Sequence, residues 1–393
     1  MPATGNVSRF PRLLAGLLAV ATAIIAMATA GVVQAQQTKA PAAPRSTVKV
    51  DVFARGLEHP WGLAFLPDGC MLVTERPGRV RVISRDGKLS RPLSGVPKVA
   101  ATGQGGLLDI ALAPDFERSR LVYLSFAEPR DGRTNGTSVA RGRLVGVQGE
   151  ERLEDLEVIF RQEPGHRGGL HFGSRLVFAS DGNLFVTLGE RFEMRFAQDL
   201  NRHWGKVIRI APDGSVPTDN PFVGQSGARP EIWSYGHRNP QAAAIHPATG
   251  VLWVVEHGPR GGDEVNIVER GANYGWPVIG YGIDYSGAKL HEATHKEGMK
   301  QPAYYWVPSI APSGMAFYTG TLFPDWNGNL LVGALAERTL HRLVLDGPRV
   351  VAEETLLQGR DKRIRDVRQG PDGAVWLLTD ESDGEVLRLT PGR

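Results

Sequence analysis

Six times along the chain a short apolar run stops at a turn of Pro, Asp, Asn or Gly and restarts as a second, more apolar run. The six stretches are LAFLPDGCMLVTE (63–75), IALAPDFERSRLVYLSF (110–126), LVFASDGNLFVTLG (176–189), AAIHPATGVLWVVEHG (243–258), MAFYTGTLFPDWNGNLLVGAL (315–335) and VRQGPDGAVWLLTDE (367–381). Such runs are too short for helices, and the turn residues between them suit tight reversals. A third run often follows, as in RVRVISRDG, KVIRIAPDG, LHRLVLDG and VLRLTPG. Six sheet-forming units without long helical periodicity predict an all-β fold, a six-bladed β-propeller. Two packed sandwich domains are the rival arrangement. No linker divides residues 48–391, so residues 48–393 are read as one domain. VKVDVFARGLEHP, ahead of the first unit, is expected to lend a strand to the last blade and close the ring.

The first residues read differently. Arg9 and Arg12 precede LLAGLLAVATAIIAMATAGVV, and Val33-Gln34-Ala35 forms a small-x-small cleavage site. Residues 1–35 thus carry the pattern of a secretory signal peptide, with an uncleaved membrane anchor as the alternative. Residues 36–47 (QQTKAPAAPRST) read as a Pro/Ala-rich flexible linker. Cleavage would remove two arginines and bring the formal charge from +3 to +1. That balance, with no basic tail, argues against a nucleic-acid partner. Export predicts a periplasmic or secreted protein with no stable membrane insertion after cleavage. One cysteine, Cys70, excludes an intrachain disulfide and thiolate metal sites, and reads as a small filler residue.

The segments ahead of the strand pairs carry polar residues. They are GQGGLLDIA (103–111), GGLHFGSRL (168–176), YGHRNPQAAA (235–244) and RIRDVRQGPDG (363–373). In a propeller these positions surround the central channel. Gln104, His171, Arg238, Asn239, Arg363 and Arg365 should therefore converge at one mouth. Three arginines together repel one another and resist desolvation, so they suit a polyanionic ligand with carboxylates or phosphates. Alone, each arginine reads equally as a surface or blade-to-blade ion pair. The glycines beside them would let backbone approach a ligand closely. HGPRGGDEVNI (257–267) and ERGANYGWP (269–277) place carboxylates among exposed carbonyls, a chemistry suited to Ca²⁺ or to a plain hairpin with solvated acids. His203, His246 and His257 read as packing or surface residues, and His166 as a rim residue. GQGG lacks the third glycine and helix of a dinucleotide fingerprint, and no GxSxG elbow occurs.

Taken together, HPWGLAFLPDG, GQGGLLDIAL, GGLHFGSRLVF, SYGHRNPQ, EHGPRGGDEVNI, GANYGWP, PSIAPSGMAFYTG and RIRDVRQGPDG resemble the soluble quinoprotein glucose/sorbosone dehydrogenases. Within these, the chain looks most similar to the periplasmic aldose sugar dehydrogenases, over about residues 48–389. The resemblance implies a six-bladed propeller that holds pyrroloquinoline quinone (PQQ) at the channel mouth. It implies that Gln104, Arg238, Asn239, Arg363 and Arg365 hold PQQ, with Tyr285 close by. It implies one Ca²⁺ at the carbonyls of Gly258 and Pro259, and a second at Glu264 and the carbonyl of Tyr274. His171 matches the family's general base, which takes the proton of a sugar's anomeric hydroxyl as the C1 hydride passes to the quinone. Glu190 matches the carboxylate that orients this base; glucose-specific members carry Asp there. One departure stands out: some members place a PQQ-contacting lysine where this chain has Ala336. Either the arginines suffice there, or affinity is lower, or Arg338 reaches in.

The implied activity is oxidation of an aldose at C1 to a lactone, with electrons leaving to an external acceptor, a quinone or a cytochrome. A Ca²⁺-dependent lactonase-type hydrolase would centre on acidic metal ligands and need no ring of arginines. A non-catalytic binding propeller would show exposed aromatic clusters, and Tyr304-Tyr305-Trp306 is the only such run. The loop from Tyr281 to Tyr305 is the expected determinant of sugar preference.

Overall fold

A computed structural model describes residues 40–147 and 149–392. The signal-peptide reading of residues 1–35 and the first residues of the linker, 36–39, lie outside the described residues. Each of the six sequence units forms the first hairpin of one antiparallel sheet, and six sheets result. The first strands are Pro60–Phe65, Leu107–Leu112, Gly173–Phe178, Pro240–Ile245, Pro312–Phe317 and Ile364–Gln369. Each lies beside the next, and the sixth returns to the first, so the expected ring is closed. We number the blades 1 to 6 in that order. Five sheets have four strands, and blade 1 has three. Its fourth place is taken by an irregular segment whose Ser90 and Leu93 amides donate to the carbonyls of Val82 and Val80 at 2.8 and 2.9 Å. Blade 6 is completed by Val48–Leu57, which pairs antiparallel with Gly384–Pro391.

The second run of each unit is the more apolar because its strand is buried on both sides. Met71–Glu75, Leu184–Leu188, Leu252–Glu256, Leu330–Ala334 and Val375–Thr379 are buried at every position. Their side chains fill the seams between neighbouring blades: Leu72 and Val82 meet Ile110 and Leu124, while Val186 and Ile208 meet Tyr123 and Val139. Each such side chain contributes about 1.5–3 kcal/mol by burial. Cys70 is buried in the first seam, as a filler residue should be.

In every blade the register between first and second strands slips once, near the start of the first strand. A bulge re-aims the residue that carries it. In blades 1 to 3 the displaced amides of Gly62, Asp109 and Arg175 donate to Thr74, Ser125 and Thr187 hydroxyls, each at 2.9 Å. At or directly beside these slips blades 2, 3 and 6 carry Asp109, Arg175 and Asp366, and these meet on the axis. The Arg175 guanidinium lies 3.0 Å from Asp109 and 2.9 Å from Asp366. Arg368 reaches the same two carboxylates, at 3.0 Å each. Two cations and two anions balance, and the amides of Leu176 and Leu63 supply further donors to the aspartates. The result is a polar plug beneath the mouth.

The structure revises the flexible-linker expectation where it can be seen. Ala42 forms a parallel bridge with Glu353, and Ala43 is buried. The Arg342 guanidinium donates to the Pro44 carbonyl at 3.0 Å, and the Ser46 hydroxyl donates to Glu354 at 2.9 Å. Residues 40–46 are thus an added edge on blade 5, because its outer strand offers unpaired backbone groups and two buried charges.

Candidate active site

Antiparallel pairing sets the start of each first strand beside the end of each second strand. The mouth is therefore lined from two places per blade; the chain's own polar pattern pointed to the first, and the family resemblance added Glu190, Gly258, Pro259 and Ala336 at the second. His171 precedes the first strand of blade 3, and Glu190 follows its second strand. The His171 Nδ1 lies 2.6 Å from Glu190 Oε2, and both side chains are buried. The same carboxylate oxygen accepts the Phe192 amide at 2.8 Å. A carboxylate at Nδ1 selects the tautomer that donates there, which leaves Nε2 as a proton acceptor. Burial lowers the His171 pKa below its ordinary 6.5, against the opposing pull of Glu190, and Arg238 and Arg191 lower it further. His171 is thus a neutral imidazole at neutral pH.

Gln104 meets His171 from blade 2: its Oε1 accepts the His171 amide at 2.9 Å. Asn239 Oδ1 accepts the Gly173 amide at 3.0 Å. Arg238 is buried and donates to the carbonyls of His257 and Gly258 at 3.1 and 2.7 Å, and to the Tyr285 hydroxyl at 3.2 Å. Its own amide is fixed by Glu256 at 2.6 Å. Tyr285 is exposed at the rim. Arg365 is buried between Gln241 and Asp380, at 2.7 and 2.6 Å. Arg363 is more open, 3.7 Å from the same Asp380. Ala336 sits on the rim of blade 5, exposed, with its amide on Ile310. Arg338 does not reach in; it is paired with Asp361.

Among the described residues, Arg238 Nε, Asn239 Nδ2 and Arg365 Nε are buried donors without acceptors. A ligand rich in carboxylate oxygens would complete them.

Four residues join the mouth that the sequence did not assign to it. His257 interacts with Arg238, Arg365 and His171; burial, with the Arg238 and Arg365 cations, pushes its pKa down to about 3. His59 Nδ1 lies 2.9 Å from Asp380. Asp380 is held well below the usual carboxylate range, the Arg365 guanidinium overcoming the cost of its burial. Arg76 interacts with Asp380, Arg365 and Arg363, and burial lowers its pKa. A signal was present: Arg76, Glu190, His257 and Asp380 all stand just beyond the second run of a unit, as His171 stands just before the first.

Two glycines near His171 and Gln104 stand where one stretch of backbone meets another. A Cβ on Gly189 would lie 2.2 Å from the His171 carbonyl oxygen, and one on Gly103 would lie 2.4 Å from that of Gly169. They let backbone meet backbone, which sets His171 and Gln104 at their separation. The aromatic run is also revised. Tyr304, Tyr305 and Trp306 are buried, since Glu353 of blade 5 covers this outer strand and accepts from Tyr304 and Trp306 at 2.6 and 2.9 Å.

Gly258, Pro259, Glu264 and Tyr274 line one cavity of about 10 Å³, room for roughly one water or ion. Glu264 pairs in register with Glu256, and Asn266 Nδ2 bridges them at 3.2 and 3.0 Å. Burial and the Glu256 charge raise the Glu264 pKa well above its ordinary value. Among the described residues no three His, Cys, Asp or Glu side chains are grouped so as to hold a metal ion, so a cation here would rely on carbonyls.

The family model for Glucose / Sorbosone dehydrogenase matches residues 57–388. The chain is 50% identical to the aldose sugar dehydrogenase YliI of Escherichia coli (strain K12) over 353 residues, covering 89% of this chain and 94% of that one. The apo crystal structure of the soluble aldose sugar dehydrogenase from Escherichia coli superposes with a TM-score of 0.85 at 48% identity, over 88% of this chain and 100% of that one. The PQQ-bound aldose sugar dehydrogenase of Streptomyces coelicolor superposes with a TM-score of 0.71 at 30% identity, over 88% and 99%. With the propeller, the buried His–Glu pair and the basic mouth in place, the chain belongs to the glucose/sorbosone dehydrogenase family and is an enzyme of that family.

Proposed function

We propose that the chain is a PQQ- and Ca²⁺-dependent aldose dehydrogenase that oxidises the C1 hydroxyl of sugars to lactones. The observation that carries this reading is the buried His171–Glu190 pair facing a mouth lined by Arg238, Asn239 and Arg365, each of which keeps one buried donor nitrogen without an acceptor. Gln104, Arg238, Asn239, Arg363 and Arg365 would hold PQQ, with Tyr285 and the backbone of Ala336 at the rim. Gly258, Pro259, Glu264 and Tyr274 would hold Ca²⁺. When bound, PQQ supplies a two-electron acceptor and Ca²⁺ a Lewis acid beside it.

The chain's own part is the proton. His171 Nε2 accepts the proton of the C1 hydroxyl as the C–H bond gives up its hydride, and the carbonyl forms at C1. Glu190 holds Nδ1–H and steadies the imidazolium that results. Burial keeps the imidazole neutral beforehand, so it is ready to accept. Electrons then leave to a separate acceptor, a quinone or a cytochrome. Among the described residues no helix is long and apolar enough to cross a membrane. With the N-terminal pattern, this supports a periplasmic or secreted enzyme. The buried Tyr304–Trp306 run removes the main support for a binding module, and the arginines suit a hydrolase poorly.

The test is reconstitution. Metal-stripped protein is supplied with PQQ, Ca²⁺ or both, and dye reduction is followed with a panel of aldoses. Activity should need both additions and vanish in His171→Ala while PQQ still binds. Failure to bind PQQ at micromolar levels overturns the proposal.

A further inference from the structure

Two residues grip the backbone that carries His171, and they take alternate positions. Gln104 takes the odd ones: its backbone N–H donates to the Gly169 carbonyl at 2.8 Å, and its side-chain Oε1 accepts the His171 amide at 2.9 Å. Arg191 takes the even ones. Its Nε donates to the Leu170 carbonyl at 3.0 Å, and its Nη2 donates to the Gly168 carbonyl. Its guanidinium lies 3.7 Å over the Phe172 ring. Nη2 also donates to Asn135 Oδ1 at 2.8 Å, which ties the segment to blade 2.

Arg191 is an unusual residue to spend on packing. It is 1% exposed, and among the described residues its hydrogen bonds go to carbonyl and amide oxygens, with no carboxylate paired to it. Nη1 has no partner. Such burial of a cation is costly unless it is tied to a function. Arg191 and Phe192 both adopt left-handed backbone, φ 64° each. That turn sends Glu190 to the imidazole and Arg191 to the backbone behind it.

We propose that Arg191 is a positioning residue for His171, fixing from behind the base that Glu190 fixes from the side. This rests on the reading of His171 as the base. His171 is faced by Glu190 and Arg191 of blade 3 and by Arg238 and His257 of blade 4. Arg191 is itself faced by Glu190, by Arg130 of blade 2 and by His166. Burial lowers the Arg191 pKa to about 9, so it remains a cation at neutral pH. Its charge and the dry pocket it maintains both lower the His171 pKa.

The test uses the enzyme loaded with PQQ and Ca²⁺, alongside histidine NMR titration of the unloaded protein. Arg191→Met should lower kcat about ten-fold or more, with KM and PQQ affinity within about two-fold of wild type. The acid limb of kcat/KM and the NMR midpoint of His171 should both move to higher pH. Arg191→Lys keeps the charge but cannot hold both carbonyls, so kcat should fall while the limb stays. Wild-type kcat with an unmoved limb in Arg191→Met overturns the proposal. If that variant does not fold, wild-type kcat in Arg191→Lys overturns it. Activity surviving in His171→Ala would instead overturn the base assignment, and the proposal with it.

Discussion

Arg175 of blade 3 lies 2.9 Å from Asp366 of blade 6, the blade directly across the ring. The contact spans the axis, and Asp109 and Arg368 complete the square. Arg175→Met would leave Asp109 and Asp366 with one cation between them. It should cost about 3–5 kcal/mol of stability, read by chemical denaturation. Arg175 also donates to the carbonyls of Gln241 and Arg365, at 2.7 and 3.3 Å. The damage should therefore reach the mouth and weaken PQQ binding as well.

Glu190 acts on His171 in two ways that can be separated by pH. Burial holds the imidazole below its ordinary 6.5, and the carboxylate opposes that shift. A neutral base loses activity only below its own pKa, so the acid limb of kcat/KM should lie below pH 6.5. Glu190→Gln removes the opposing charge and should move the limb lower still. It should also lower kcat by about ten- to a hundred-fold, because the imidazolium formed in the reaction loses its partner. A pH profile of both enzymes checks the two effects together.

Glu264 stands on a small cavity with Glu256 across the pair, and among the described residues neither carboxylate is paired with a lysine or arginine side chain, Glu256 meeting His237 instead. Added Ca²⁺ should raise the melting temperature. At a hundred times its dissociation constant the gain is about 2.7 kcal/mol. Calorimetry with and without chelator should show that gain in the wild type and its loss in Glu264→Gln.

Ala336 leaves the blade 5 side of the mouth without a charge, since Arg338 is held by Asp361. Ala336→Lys should tighten PQQ binding by about ten-fold, the value of one partly solvated charge-assisted hydrogen bond. Equilibrium titration of the unloaded protein reads this directly.

Residues 40–46 add an edge to blade 5 through Ala43, Pro44 and Ser46. A chain beginning at Val48 should be less stable by about 1–3 kcal/mol, because the Glu354 and Arg342 groups lose buried partners. Thermal melts of the two lengths compare them.

The blades were legible because a strand buried on both faces needs an unbroken apolar run, as in Leu252–Glu256, and a tight turn needs Asp, Asn or Gly. The mouth was half legible. His171 and Arg238 precede first strands, so topology alone brings them near one another. His257, Asp380 and Arg76 were not legible, because their place depends on which residue ends each second strand, and bulges shift that register. Tyr304–Trp306 lies on an outer strand, and what buries it is distant in sequence: Glu353 and His341 of blade 5 and the stacked ring of Tyr281. The docking of residues 40–46 has the same cause: a Pro/Ala-rich segment carries no pattern, and its partner, blade 5, begins some 270 residues later in the chain.

Strand Val48–Leu57 bonds Gly384–Pro391, so the earliest strand of the ring waits for the last. Blade 6 stays a strand short until the two meet. A chain folding from its N-terminus therefore remains an open row of hairpins until its final blade arrives, and only then locks. The same stitch means that a single cut near either end frees both, turning a seamless ring into a sheet with two bare edges.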